Sequence, residues 1–157
     1  MERTLVIMKP DALQRNLVGE IISRFERKGL KIIGMKMISI DDLKVEEHYK
    51  KYVGKDFFSH LRKFMQSSPV VAMVLEGVEA VSAVRLITGA TKGREADAGT
   101  IRGDLAMGIQ TNILHVSDPA ENPKQEIKRF FTEDELFDYK KIDMSYIYSP
   151  DELKDEK

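Results

Sequence analysis

The sequence contains no cysteine, which excludes disulfides, thiolate nucleophiles and thiolate zinc sites together. Histidine is scarce as well. His48, His60 and His115 are the three in the chain, too few to expect a protein-built transition-metal centre, and no metal ligands are assigned. No apolar run approaches the roughly 20 residues needed to cross a bilayer. The opening stretch, MERTLVIMKPDA, carries an early acidic residue and no long apolar segment, so it does not read as an export signal. With neither an export signal nor cysteine, a cytoplasmic location is expected. The 25 basic residues are matched by 26 acidic ones, a net charge of −1, without the basic excess of a nucleic-acid coat. Also absent are a G-x-x-x-x-G-K-[ST] phosphate loop, a G-x-G-x-x-G turn after a strand, and the H-R-D and D-F-G signatures. A nucleotide-handling function would have to lie outside those designs.

What is present reads as one ordinary domain. The chain has 157 residues, 42% hydrophobic and 32% charged, enough to bury a real core. That domain is expected over residues 1–148, with a polar, mobile tail at 149–157, SPDELKDEK. TLVIMK (4–9), stopped by Pro10, is predicted as a buried strand. LVGEIISRFERKG (17–29) repeats apolar residues at helical spacing, with Asn16 as N-cap and Gly29 where a terminating glycine belongs. LKIIGMKMISI (30–40) is a second strand, followed by shorter helices around 43–52 and 60–67. PVVAMVLEG (69–77) is a third strand, and VEAVSAVRLITG (78–89) a helix ended by glycine. NILHVS (112–117) is a fourth strand, and Asn122-Pro123, with Gln125 three residues after the Asn, starts a last helix. Split β-α-β units in this order predict an α+β fold, a ferredoxin-like βαββαβ sandwich whose four-stranded antiparallel sheet carries helices on its face.

Residues 89–111, GATKGREADAGTIRGDLAMGIQT, fit no element and are too long for an ordinary connection. The segment holds five glycines and two arginines and delivers the chain directly to His115. A nucleophilic imidazole needs one ring nitrogen free and the other held by a fixed partner. Ser117 and Glu126 are the nearby candidates for that support. Lys9, Arg85 and Arg102 each sit at the end of an element or in a glycine-rich loop; alone, each would be an ordinary snorkelling or solvated side chain. Together they could line one cleft for a polyphosphate, with Thr91 adding a hydroxyl. Tyr49, Phe57, Phe58 and Leu61 are all core candidates. One aromatic left at a cleft mouth would stack on a nucleobase, and the pattern does not choose between Phe57 and Phe58.

Several stretches together resemble the nucleoside diphosphate kinase family: ERTLVIMKPDALQRNLVGEII, SPVVAMVLEG, GATKGREADAGTIRGD and NILHVSD, over residues 2–148. The resemblance implies transfer of a terminal phosphate from a nucleoside triphosphate to a diphosphate, in two steps through a phosphohistidine, with broad base specificity. It implies His115 as the phosphate carrier, with Ser117 and Glu126 supporting its ring. Lys9, Tyr49, Arg85, Thr91 and Arg102 would contact phosphates, and Lys9 with Asn112 the ribose. The base would lie between Phe57 and Ile109, near Leu61. Mg2+ would arrive on the nucleotide, and the chain would form a homo-oligomer, a hexamer before a tetramer or dimer.

Three features depart from the family's usual pattern. Val116 stands where glycine is commonest, Pro119 replaces a serine, and the 89–111 loop has no proline. Bulk beside the nucleophile is what would favour a different class of function, a regulatory module that holds a nucleotide without turning it over. A nucleic-acid-binding role would require steep salt dependence, which a near-neutral chain without a basic stripe does not support.

Overall fold

A computed structural model describes residues 1–153. Strand β1 (Glu2–Met8) is followed by helices α1 (Pro10–Gln14) and α2 (Val18–Arg27), strand β2 (Lys31–Ile38), and helices α3 (Asp42–His48) and α4 (Phe58–Met65). Strand β3 (Val70–Gly77), helices α5 (Ala80–Thr88) and α6 (Ile101–Leu105), strand β4 (Leu114–Val116), and helices α7 (Pro123–Phe130) and α8 (Met144–Ile147) complete the order. The strands form one antiparallel sheet ordered β2-β3-β1-β4. This is the expected ferredoxin-like α+β fold.

Side chains on a strand alternate between faces, and here both faces are covered. Leu5 and Ile7 of β1 point into a cluster with Ala72, Val74, Val45, Phe58, Leu61, Met65 and Phe130, under α3, α4 and α7. Val6 and Met8 point into the other, with Ile21, Phe25, Met73, Leu75, Val84 and Ile101, under α2, α5 and α6. Residues Leu5 to Met8 are fully buried. Two-sided cover explains why β1 and β3 read as continuous apolar runs and not as alternating ones.

Several local expectations are revised. Pro10 does not simply stop the strand; it opens α1, where its fixed φ suits the first helical position. Asn16 is not a cap, because it adopts a left-handed conformation (φ 57°) between two helices and leaves Leu17 at the N-cap of α2. Gly29 takes φ 98° just past that helix, as expected of a terminating glycine. Strand β4 is three residues long, not six, because Ile113 has φ 74° and turns the chain before pairing begins. The 89–111 segment is not structureless, since it contains α6 and a single 3-10 turn at Gly93–Glu95. Of the C-terminal tail, Ser149 bonds Glu152 through its N–H at 2.8 Å, and residues 154–157 lie outside the described residues. No helix among the described residues is long and apolar enough to cross a membrane.

Phe25 is fully buried where α2 meets the sheet. Phe25→Ala is expected to cost about 3–5 kcal/mol, read as a lower urea midpoint at fixed protein concentration.

Candidate active site

The pairing of β4 with β1 places His115 opposite Ile7, so a central strand of the sheet, fully buried from Leu5 to Met8, fixes its backbone. The imidazole keeps 20% of its surface, whereas Glu126, in the first turn of α7, keeps 1%. His115 Nε2 lies 3.1 Å from Glu126 Oε1. A carboxylate only accepts, so Nε2 carries the proton and Nδ1 is left with the lone pair. Asn122 sets the start of α7 by accepting the Lys124 N–H at 3.1 Å, with Pro123 at the first helical position. The side-chain cap therefore runs to Lys124, while the Gln125 N–H donates to the Asn122 carbonyl at 2.9 Å.

The segment before β4 is held under tension. Leu114 N–H donates to the Asn112 carbonyl at 2.8 Å around Ile113, a γ-turn that puts a β-branched residue in the left-handed region. Asp11 steadies it by accepting the Ile113 N–H at 2.9 Å, and Lys9 N–H donates to the Ile113 carbonyl at 2.8 Å. Arg102 then ties the long loop down with three donations to main-chain carbonyls: Asn112 at 3.2 Å, Gly89 at 3.0 Å and Leu114 at 2.7 Å. Lys9 Nζ donates to Asn112 Oδ1 at 2.6 Å and to the Gln110 carbonyl at 3.1 Å, while Asn112 Nδ2 donates to the Thr91 carbonyl at 2.7 Å. Gly89, with φ 82°, packs so closely on Thr100 that a β-carbon there would collide with it.

These residues surround a cleft of ≈ 680 Å³, within the range of small-ligand sites. Lys9, Tyr49, Phe57, Leu61, Arg85, Thr91, Arg102, Ile109, Asn112 and His115 all line it. Ser117 and Glu126 do not; they stand behind the histidine. Phe57 and Ile109 are exposed at the mouth, 39% and 45%, while Phe58, the first residue inside α4, is buried in the core.

Two side chains expected at the site have partners of their own. Tyr49 turns its ring edge to His115, centroids 6.0 Å apart, and its hydroxyl donates to the buried sulfur of Met65 at 3.8 Å. Ser117 Oγ accepts the Leu5 N–H at 3.1 Å, so it pins β4 to β1 instead of bonding the imidazole. His48, by contrast, was no more than a count in the sequence. It lies buried with its ring 4.2 Å from that of His115 and 5.1 Å from Phe130. Its position next to Tyr49, at the end of a helix facing the cleft aromatics, was the one available signal.

Burial, reinforced by Lys9 and Arg102, lowers the His115 pKa from 6.5 to about 3. Burial also pushes His48 well below its ordinary value, with His115 adding to the effect. Desolvation lowers Lys9 to about 7 and Arg102 to about 10, and their nearness to other cations contributes. The site is thus a neutral imidazole set among crowded cations, which an anion would relieve.

The arrangement has counterparts of known identity. The nucleoside diphosphate kinase family profile matches residues 2–136. The chain belongs to the nucleoside diphosphate kinase family. A nucleoside diphosphate kinase of Parabacteroides distasonis is 47% identical over 153 residues, covering 98% of this chain and 100% of the relative. Another, from Sulfurisphaera tokodaii, is 52% identical over 136 residues, covering 87% and 92%. Among solved structures, a halophilic nucleoside diphosphate kinase from Halobacterium salinarum, in complex with CDP, superposes with a TM-score of 0.92 at 43% identity, covering 94% of this chain and 99% of that one. Family membership makes the chain an enzyme, a phosphotransferase.

Since both folded-state histidine values lie below the unfolded one, the unfolded chain takes up protons first as the pH falls. The stability that is intact above 6.5 is lost progressively toward 3. The His115 and His48 imidazole resonances should keep their neutral-form positions down to a pH of about 5. A midpoint near 6 in either would contradict the burial described.

Proposed function

We propose that the chain moves the terminal phosphate of a nucleoside triphosphate to a nucleoside diphosphate in two steps, with His115 Nδ1 as the carrier. The observation that carries this reading is the Nε2–Glu126 hydrogen bond at the floor of a cationic cleft. In the first step the Nδ1 lone pair forms a bond to the γ-phosphorus while the bond to the bridging oxygen breaks, and the diphosphate leaves. In the second, the terminal oxygen of another diphosphate takes the phosphoryl group back from nitrogen. Glu126 stabilises the ring as it gains positive character and keeps the proton on Nε2 throughout. A P–N bond of this kind stores about as much transfer potential as the terminal P–O bond, so one site serves donor and acceptor in turn.

Lys9, Arg85, Thr91 and Arg102 supply the cations and hydroxyl that disperse phosphate charge, where preorganised donors matter most. Arg85 is the least committed, with a single 3.4 Å contact to the Ser117 carbonyl. Lys9 and Asn112, already paired, serve the ribose. Phe57, Ile109 and Leu61 offer the base a flat apolar slot that favours stacking over hydrogen-bonded reading, which suits broad specificity. Carboxylates are few among the lining residues (Asp97, Asp118 and Glu121), and Glu121 is paired with Lys51 at 2.6 Å. That donor set fits a magnesium ion carried on the nucleotide phosphates and approached by Asp118, where it would offset phosphate charge. We assign the activity to a homo-oligomer in the cytoplasm, where nucleotide pools are balanced.

Val116 pairs with Val6 and belongs, with Val84 and Met73, to the cluster on the sheet face opposite His115's neighbours, while also lining the cleft. Its membership of that cluster supports catalysis over passive binding.

Incubation with γ-labelled ATP and magnesium should give an acid-labile, base-stable label that chases onto unlabelled diphosphate and is absent from His115→Ala. Retained label in that variant would sink the assignment. Glu126→Ala, which frees the ring, is expected to lower kcat on the order of 100-fold with little change in KM. Phe57→Ala should do the reverse, weakening nucleotide binding by about 1–3 kcal/mol.

A further inference from the structure

Two of the three histidines and one carboxylate meet behind the cleft. One ligand-capable atom each of His48, His115 and Glu126 lies within 4.8 Å of the others. Both nitrogens of His48 are buried with no hydrogen-bond partner, and so is Glu126 Oε2. Buried polar atoms are almost always satisfied, and three orphans on two neighbouring side chains need an account. Catalysis uses His115 Nδ1 and Glu126 Oε1; it leaves both His48 nitrogens and Glu126 Oε2 unused.

We propose that His48, His115 Nε2 and Glu126 form a site for a zinc-type divalent ion, and that filling it switches the enzyme off. Two imidazoles and one carboxylate are a usual donor set for zinc, with the fourth position open to water. Tetrahedral coordination places ligand atoms about 3.4 Å apart, so the three groups draw in by roughly an ångström, within reach of small side-chain rotations. Magnesium, which demands oxygen ligands, does not compete here. Lys9, Arg102 and Lys51, the cations that act on His115, oppose a dication and hold the affinity below that of a dedicated structural site.

The effect on phosphoryl transfer follows from the tautomer. A metal takes the Nε2 lone pair, so the proton moves from Nε2 to Nδ1, and Glu126 exchanges its N–H partner for the ion. Nδ1 then carries a hydrogen and has no lone pair to offer phosphorus. The nucleotide side of the cleft stays open. Inhibition therefore lowers kcat and is not relieved by more nucleotide. This consequence rests on the assignment of Nδ1 as the carrier; the metal site itself does not.

The test uses the untagged full chain, whose three histidines give a simple imidazole spectrum. Zn2+ added in chelator-free buffer near neutral pH should shift the His48 and His115 resonances together up to one equivalent and leave His60 unmoved. Co2+ should give visible absorption of the tetrahedral kind at the same stoichiometry. His48→Phe, which keeps a ring against Phe130 and removes both nitrogens, should abolish that binding, whereas His60→Gln should not. Shifts at His60 alone, or at none of the three, would overturn the site. Metal bound at His48 and His115 with phosphorylation undiminished would overturn the inhibitory role. A chain that never phosphorylates, with or without metal, would instead refute the proposed function.

Discussion

Everything in the cleft is referred to one hydrogen bond, between His115 Nε2 and Glu126 Oε1. It joins the shortest strand of the sheet to the helix that follows it, and it decides which imidazole nitrogen is free. Burial alone would leave a neutral ring of undefined tautomer. The carboxylate resolves that ambiguity, and β1 makes it durable, since Ile7 opposite His115 is fully buried with covered neighbours on both faces. His115 thus sits on a short edge strand that is anchored by a central one fully buried from Leu5 to Met8.

The second constraint is electrostatic. Lys9 and Arg102 are both buried; Arg102 lowers the preference of Lys9 for charge, Arg85 lowers that of Arg102, and Lys9 and Arg102 together lower that of His115. Such crowding is costly in the empty protein and is relieved when an anion arrives. On the proposed reading, a polyphosphate meets groups already fixed by Asn112, Gln110 and Leu114, so little ordering remains to be done on binding. The strained γ-turn at Ile113 serves the same end, because it presents the Asn112 and Leu114 carbonyls to the one Arg102 guanidinium.

Much of this was legible in the chain. The apolar runs and glycine stops located four strands and the main helices, and the motif-bearing residues Lys9, Arg85, Thr91, Arg102, Asn112 and His115 do converge on one cleft. What could not be read depends on where side-chain tips end. Phe57 and Phe58 are adjacent and chemically identical, and only the phase at which α4 begins sends one to solvent and the other inward. Tyr49 was correctly placed beside the cleft, yet its hydroxyl belongs to Met65, a residue 16 positions away that no local pattern connects to it. His48 and His115 meet across 67 positions of sequence by virtue of helix α3 packing on α7. Asn16 had the chemistry of a cap, but the short helix opened by Pro10 took the backbone a different way.

Arg102 spends its three donations on peptide carbonyls, at positions 89, 112 and 114. A carbonyl is supplied by every amino acid, so evolution can respell much of the 89–111 segment without loosening the guanidinium's grip. Inserting or deleting a single residue is another matter, because it would slide the carbonyls out from under a fixed fork. Drift in composition with constancy in length is the signature such a loop should leave among its descendants, and its lack of proline is one permitted spelling.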